Sequence, residues 1–222
     1  MHFGALGDIH GDFETVRRIM RRHPHVLFWV SVGDLAGEEG QYEPVEAPLY
    51  WIKGNNENFD VIDAGLFPGH LHYLPNARME EIGGVRVAGL GGTFAPSWYD
   101  TPAASLPHPR KGSAKATGLA DKRRHFVREE VDACRALRAV DVFLSHEAPR
   151  PYFAGTGPRR NDAGKTPVNE ILAALQPRLH LFGHHHRFTD QDCQGVRSVG
   201  LDLVADSYLL IDAGTFEYDR HQ

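Results

Sequence analysis

The stretch VLFWVSVGD, residues 26–34, is a continuous apolar run rich in β-branched and aromatic residues, and it stops at a glycine and an aspartate. Such a run is typical of a strand buried on both faces of an α/β protein. Similar runs that end in glycine and a polar residue occupy residues 2–8 and 49–55. Because parallel strands place their carboxyl ends at one edge of a sheet, we expect these polar residues to meet at a ligand-binding crevice.

Outward from these runs, strands and helices alternate. Further strands are predicted at 142–144, 179–182, 196–201 and 208–211, with a hairpin across Gly83-Gly84. Apolar residues at helical spacing predict helices at 13–23 and 127–138, and a third that begins with Thr166 as N-cap and Pro167 in its first turn. We therefore predict one α/β domain over 1–222, with an irregular insertion at about 93–120 and a frayed polar tail at 216–222.

The composition of the 222 residues excludes several classes of protein. With 41% hydrophobic residues the chain can bury a core, and its net charge of -5 gives no overall basic field for nucleic acid. The only two cysteines, Cys134 and Cys193, have neither disulfide-framework nor zinc-thiolate spacing, which favours a reducing compartment. No signal peptide and no run of roughly 18 apolar residues is present, so we expect a cytoplasmic protein without membrane contact.

Five predicted strands end in potential metal ligands, and two of these ligands are followed by a histidine two residues later. The seven candidates are Asp8, His10, Asp34, Asn55, His146, His184 and His186. One metal site cannot use seven ligands and stay open, whereas two sites that share a carboxylate can. Imidazole, carboxylate and amide donors suit manganese, iron, zinc or cobalt better than magnesium or calcium. We expect two divalent ions per chain, with manganese preferred.

In this order the motifs resemble the calcineurin-like metallophosphoesterase superfamily, whose pattern is Asp-x-His, Gly-Asp, Gly-Asn-His-Asp/Glu, His and Gly-His-x-His. The corresponding blocks are Asp8-Ile9-His10, Gly33-Asp34, Gly54-Asn55-Asn56-Glu57, Ser145-His146 and Gly183-His184-His185-His186. Residues 71–92 with Ser145-His146-Glu147 are also similar to the RNA lariat-debranching branch of the family.

The resemblance implies a four-layer αββα sandwich of two mixed β-sheets flanked by helices. It also implies one metal held by Asp8, His10 and His186 and a second held by Asn55, His146 and His184. Asp34 would bridge the two, and His185 would point elsewhere. The implied reaction is hydrolysis of a phosphoester by a hydroxide held between the metals.

The family pattern breaks at Asn56, where a histidine usually protonates the leaving group or braces the transition state. An amide donates a hydrogen bond but no proton, and general acid catalysis contributes about 10²- to 10⁴-fold. We therefore hypothesise a phosphodiesterase or anhydride hydrolase with stable leaving groups, or an acid recruited from His10, His70 or His72. Asn56 and His10 are the catalytic candidates.

Two other functions remain alternatives. One is a phosphomonoesterase or nucleotidase. The other is a metal-binding interaction scaffold, since some family members without the histidine, such as the retromer scaffold subunit, are interaction platforms.

Two basic segments have two interpretations, a phosphate-binding rim or solvated loops. The first contains Arg110, Lys111, Lys115, Lys122, Arg123 and Arg124, and the second contains Arg150, Arg159, Arg160 and Lys165. In a rim, Trp98 and Tyr99 would be available to stack on a base. The expected partner is a phosphoester substrate, either a small molecule or a nucleotide, with nucleic acid and the oligomeric state left open.

Overall fold

The computed structural model describes residues 1–109, 120–153 and 161–222. Its helices are α1 (Phe13–Arg22), α2 (Phe59–Ala64), α3 (Arg128–Ala136) and α4 (Thr166–Leu175). Short 3₁₀ turns lie at Ala103–Ser105 and Lys122–Arg124. The strands are β1 (His2–Leu6), β2 (Trp29–Ser31), β3 (Leu49–Trp51), β4 (Leu71–Tyr73), β5 (Met79–Ile82), β6 (Val85–Leu90), β7 (Thr93–Phe94), β8 (His125–Phe126), β9 (Val142–Ser145), β10 (Leu179–Phe182), β11 (Thr189–Cys193), β12 (Val196–Gly200), β13 (Tyr208–Asp212) and β14 (Tyr218–His221).

Twelve of these strands form two mixed six-stranded sheets. The first sheet has the order β14-β13-β1-β2-β3-β4 and the second has β11-β12-β10-β9-β6-β5. In the first sheet β1 to β4 are parallel, and β13 and β14 run antiparallel to their neighbours. In the second sheet β6, β9, β10 and β12 are parallel, and the outer strands β5 and β11 are antiparallel. A separate parallel pair joins β7 to β8.

The side chains of these sheets form three apolar layers. Alternate residues point to opposite faces of a strand, so Phe3 and Ala5 of β1 pack between the sheets, whereas Leu6 packs outward. The outer face of the first sheet is covered by α1. The outer face of the second sheet is covered by α3 and α4. The order helix, sheet, sheet, helix confirms the predicted αββα sandwich.

Several local predictions are corrected by the structure. The polar tail is not frayed, because Phe216 is buried and β14 pairs with β13. Thr166 is the first residue of α4 rather than its N-cap, and Lys165 precedes it without a side-chain capping bond. The segment 93–120 contains β7 and a 3₁₀ turn, while its residues 110–119 lie outside the described part.

Within the described ranges, no helix combines the length and the apolar character that a membrane span requires. Both Cys134 and Cys193 are buried free thiols.

Candidate metal centre

The seven predicted ligands follow the carboxyl ends of five strands in two sheets. Asp8, Asp34 and Asn55 come after β1, β2 and β3, and His146 and His184 come after β9 and β10. The contacts that join the sheets at this edge include the following two. The His184 backbone N–H donates to the Asp8 carboxylate at 3.1 Å, and His146 Nδ1 lies 2.8 Å from the Val32 carbonyl oxygen. The carboxyl ends of both sheets therefore meet at one place.

One half of the cluster consists of Asp8, His10 and His186. His186 Nε2 lies 3.0 Å from Asp8 Oδ2 and 3.1 Å from His10 Nε2. One donor atom from each of the three side chains falls within a sphere suited to one metal ion, with all three atoms inside 4.8 Å of one another. The structure thus brings together the three residues that the resemblance assigns to one metal.

The other half is built around His146. Its Nε2 lies 3.1 Å from Asn55 Oδ1 and 3.7 Å from Asp34 Oδ1. The His184 ring stands beside it, with ring centroids 4.9 Å apart. Asp8, Asp34 and His146 also place donor atoms within 4.8 Å of one another, so the two halves are continuous through the buried carboxylates.

Asp34 lies between the halves. Its Oδ1 faces His146, and its Oδ2 is 3.8 Å from His10 Nε2. Asn56 orients both oxygens, because its backbone N–H donates to Oδ1 at 2.8 Å and its side-chain amide donates to Oδ2 at 2.7 Å. The catalytic candidate Asn56 therefore contacts the predicted bridging carboxylate directly.

The backbone at the site is unusually close-packed. A Cβ atom on Gly54 would overlap Asp34 Oδ1, and one on Gly183 would overlap Asp8 Oδ1. Four cluster residues have the left-handed backbone that ordinary side chains avoid: His10, Asp34, His184 and His186. Such conformations cost free energy and concentrate at functional sites.

Charged groups of the two halves shift one another's pKa values. Burial by itself raises the pKa of Asp34, but the His146 imidazole and the hydrogen bonds from Asn56 outweigh it and hold that pKa below its usual value. Burial lowers the pKa of His146, yet the Asp8 and Asp34 carboxylates outweigh it and raise that pKa. Burial, aided by the neighbouring His146, lowers the pKa of His184 to about 4. A neutral His184 has a lone pair available for a metal.

The donor set fits a pair of divalent cations. The contact of His146 Nδ1 with the Val32 carbonyl places a proton on Nδ1, so in the neutral ring the lone pair of Nε2 faces Asn55 and Asp34. The Nε2 atoms of His10 and His186 face each other, and a cation shared between them would satisfy both. Carboxylate, imidazole and amide oxygen together suit manganese, iron, zinc or cobalt.

Three supporting residues carry no role in the sequence-based interpretation. Glu57 accepts hydrogen bonds from the Leu35, Ala36 and Gly54 backbones and from Tyr42, which ties the loops after β2 and β3 together. Burial raises the pKa of Glu57 to about 7. The position of Glu57 at the end of the Gly54-Asn55-Asn56-Glu57 block is the sequence signal that could have identified this residue. The other two are Lys53 and His180, whose contacts are with backbone carbonyls and serine hydroxyls.

The alternative acids His70 and His72 do not reach this edge. His72 lies in β4 opposite the middle of β3 and stacks on Tyr50, with ring centroids 4.7 Å apart. His70 precedes β4, at the amino end of the parallel strands. The His185 ring stacks on Tyr152 and stands edge-on to the His184 ring, with centroids 5.1 Å apart in the second pair.

Most described residues of the two basic segments do not form the phosphate-binding rim that was one of their two interpretations. Tyr99 is buried against Phe94 and Phe126 and is not available to a base, and Lys122 Nζ lies 5.7 Å from the Trp98 ring centroid. Acidic partners engage three of the rim's basic side chains, Arg123, Arg150 and Lys165. Arg110, Lys111, Lys115, Arg159 and Arg160 lie outside the described residues.

A cavity of about 400 Å³ opens beside the cluster. Its lining includes His10, Asn55, Asn56, Glu57, Glu38 and Arg124. The cavity is therefore lined both by residues of the cluster and by Arg124.

Comparisons with known proteins agree on one family. Residues 1–188 match the family model described as calcineurin-like phosphoesterase. The chain is 24% identical to a lariat debranching enzyme of Schizosaccharomyces pombe over 205 residues, which cover 82% of this chain and 42% of that enzyme. An uncharacterized protein of Haemophilus influenzae is 23% identical, with 92% of this chain and 94% of the relative covered. The chain thus spans less than half the length of the debranching enzyme.

Solved structures show the same fold. The protein TT1561 of Thermus thermophilus superposes with a TM-score of 0.68 at 15% identity, covering 100% of this chain and 98% of that one. The calcineurin-like phosphoesterase YfkN of Bacillus subtilis gives a TM-score of 0.55 at 12% identity, covering 98% of this chain and 87% of that one.

Proposed function

The chain belongs to the calcineurin-like phosphoesterase family, and we propose that it is a metal-dependent phosphodiesterase. The family supports a phosphoester hydrolase; the preference for diesters and the roles of individual residues are the proposal. The observation that carries it is the convergence of seven candidate metal-ligand side chains beside an open cavity.

Asp8, His10 and His186 would hold one divalent ion, and Asn55, His146 and His184 would hold the other, with Asp34 between them. Two such cations, with manganese preferred, would lower the pKa of bound water and neutralise charge on the phosphoryl oxygens. The chain's own residues fix this geometry, since Asn56 holds both oxygens of Asp34 and Glu57 holds the loops that carry Asp34 and Asn55.

The preference for diesters rests on Asn56. Its amide cannot supply a proton to the departing oxygen, and His10 faces His186 and Asp34 inside the cluster. Substrates whose leaving group is stable without that proton are therefore favoured. The relatives named lariat debranching enzymes support a phosphodiester as the substrate class and keep nucleic acid among the candidates.

Metal content and turnover of the untagged protein test the proposal together. Mass spectrometry is expected to find two metals per chain, and manganese added after chelation is expected to restore hydrolysis of bis-nitrophenyl phosphate in preference to mono-nitrophenyl phosphate. Faster hydrolysis of the monoester would instead support the phosphatase alternative. Two metals without turnover would support the scaffold, and a protein that binds no metal would overturn the proposal.

A further inference from the structure

Arg124 differs from the basic residues around it. The Nε atom of Arg124 is buried without a hydrogen-bond partner, and among residues 1–109, 120–153 and 161–222 no carboxylate forms an ion pair with its guanidinium. The adjacent Arg123, in contrast, pairs with Asp60, Asp63 and Asp121. A shielded donor without an acceptor is costly, and a guanidinium with no acidic partner among the described residues can offer its other N–H groups to a ligand oxygen.

Hydrogen bonds from Lys53 and the pairing of β7 with β8 fix the position of Arg124. Lys53 Nζ donates to the Arg123 carbonyl at 2.9 Å and lies 3.5 Å from the His125 carbonyl, on either side of Arg124. The next residue also pairs with Thr93 through the β7–β8 ladder. Since Lys53 directly precedes Gly54-Asn55, the same stretch of chain sets both the metal-ligand loop and the segment that carries Arg124.

Arg124 and several candidate metal ligands line the same cavity. Asn55, Asn56 and His10 line it together with Arg124. A guanidinium offers a planar fork of N–H donors that matches two oxygens of a phosphoryl group. The exposed Glu38 contributes a negative charge to the same cavity.

We propose that Arg124 binds the phosphoryl oxygens of the substrate in this cavity. The inference rests on the proposed function and deepens it, because it names a residue that would hold the phosphoester beside the candidate metal ligands. Arg124 would supply positive charge at the phosphoryl group, where the amide of Asn56 supplies none.

Binding of inorganic phosphate to the manganese-loaded protein tests the proposal by calorimetry, without reference to turnover. Arg124→Gln is expected to weaken phosphate binding about tenfold to a hundredfold, the usual effect of losing one charge-assisted contact. The phosphate affinity of Arg124→Lys should lie between those of the wild type and Arg124→Gln, because lysine keeps the positive charge but lacks the planar fork of N–H donors. The matched control is Arg128→Gln, which removes an exposed arginine paired with Asp100 and should bind phosphate within about twofold of the wild type.

Turnover of bis-nitrophenyl phosphate gives a second readout. Arg124→Gln should raise KM or lower kcat about tenfold or more, and added guanidinium should restore part of the loss for Arg124→Ala but not for the Arg128 control. Equal losses in the Arg124 and Arg128 variants, or unchanged phosphate binding in Arg124→Gln, would overturn the proposal. Arg124-dependent phosphate binding in a protein without turnover would support Arg124 and count against the hydrolase. Turnover that does not depend on Arg124 would support the hydrolase and count against the role of Arg124.

Discussion

Asp34 presents its two carboxylate oxygens to different imidazoles, Oδ1 to His146 and Oδ2 to His10. An amide at this position keeps the shape but loses the charge that both metals would share. We predict that Asp34→Asn lowers hydrolysis by at least about 10³-fold and reduces metal content below two ions per chain. Circular dichroism and mass spectrometry measure fold and metal separately. A variant with full activity would remove the assignment of Asp34 as the bridge, and the exposed Asp219→Asn serves as control.

Asn56 contributes orientation without proton transfer, and this predicts a steep dependence of rate on the leaving group. Wild-type rates should fall strongly from nitrophenyl to alkyl leaving groups. Asn56→His should restore a proton donor and raise the rate for alkyl leaving groups by about 10²-fold, the lower end of the range of about 10²- to 10⁴-fold for general acid catalysis. Comparable wild-type rates for both leaving groups would contradict the missing-acid hypothesis.

His180 makes the stability of the fold depend on pH. It is fully buried between the hydroxyls of Ser145 and Ser198, and Ser145 itself donates to the Glu147 carbonyl, so the neutral ring is fully hydrogen-bonded. Burial lowers the pKa of His180 to about 3. Because this folded-state pKa lies below the unfolded value near 6.5, the unfolded state gains a proton first as the pH falls.

The free energy of unfolding should therefore be highest above about pH 6.5 and decrease between about pH 6.5 and 3, by up to about 1.4 kcal/mol per pH unit from this group. Urea unfolding of chelated wild type and His180→Gln at about pH 7.5 and 5.0 isolates the contribution. We expect a smaller decrease for the variant. The same pH dependence in both proteins would show that His180 does not titrate on unfolding.

At the scale of elements, the loops that follow the strands set the site because they approach one another at van der Waals distance. Gly54→Ala would place a methyl group onto Asp34 Oδ1. We expect it to destabilise the protein by about 1–3 kcal/mol and to reduce metal content. Gly69→Ala is the matched control, since its methyl group meets no atom within 4 Å and should change stability by less than about 0.5 kcal/mol. Equal effects of both substitutions in thermal unfolding would contradict this explanation.

The sequence predicts the elements that lead into the site because their signal is local. The apolar runs that become β1, β2 and β9 end directly at Asp8, Asp34 and His146, so pattern and position coincide. The edge strands β11 and β14 were missed because they are polar, and their pairing depends on partners elsewhere in the chain. The helix α2 is too short to show a helical period of apolar residues, so the sequence does not predict it.

The same limit applies to the site. Neighbouring arginines at 123 and 124 are equivalent in the sequence, and only the tertiary structure brings Asp60 and Asp63 of α2 to the first of them. The grouping of Asp8, His10 and His186 could be predicted from the resemblance. Their role as metal ligands stays a prediction.

At the scale of the molecule, the site joins two sheets that otherwise meet through an apolar layer. Asp8, Asp34 and Asn55 follow the first sheet, and the histidines that face them follow the second. A metal bound across this edge would stabilise the folded state by mass action, by about 2.7 kcal/mol at a free metal concentration about 100 times Kd. We predict that chelation lowers Tm and that manganese restores it. Asp34→Asn should show a smaller shift, and an unchanged Tm after complete metal removal would contradict the prediction.

The candidate ligands are also far apart along the chain: the contacts of Asp8 with His184 and of His10 with His186 each span 176 residues. During synthesis the first ligands emerge from the ribosome long before the last. A chain that has not yet delivered β10 and the histidines after it holds only part of the site. Complete metal binding would therefore come late, after the two sheets have packed against each other.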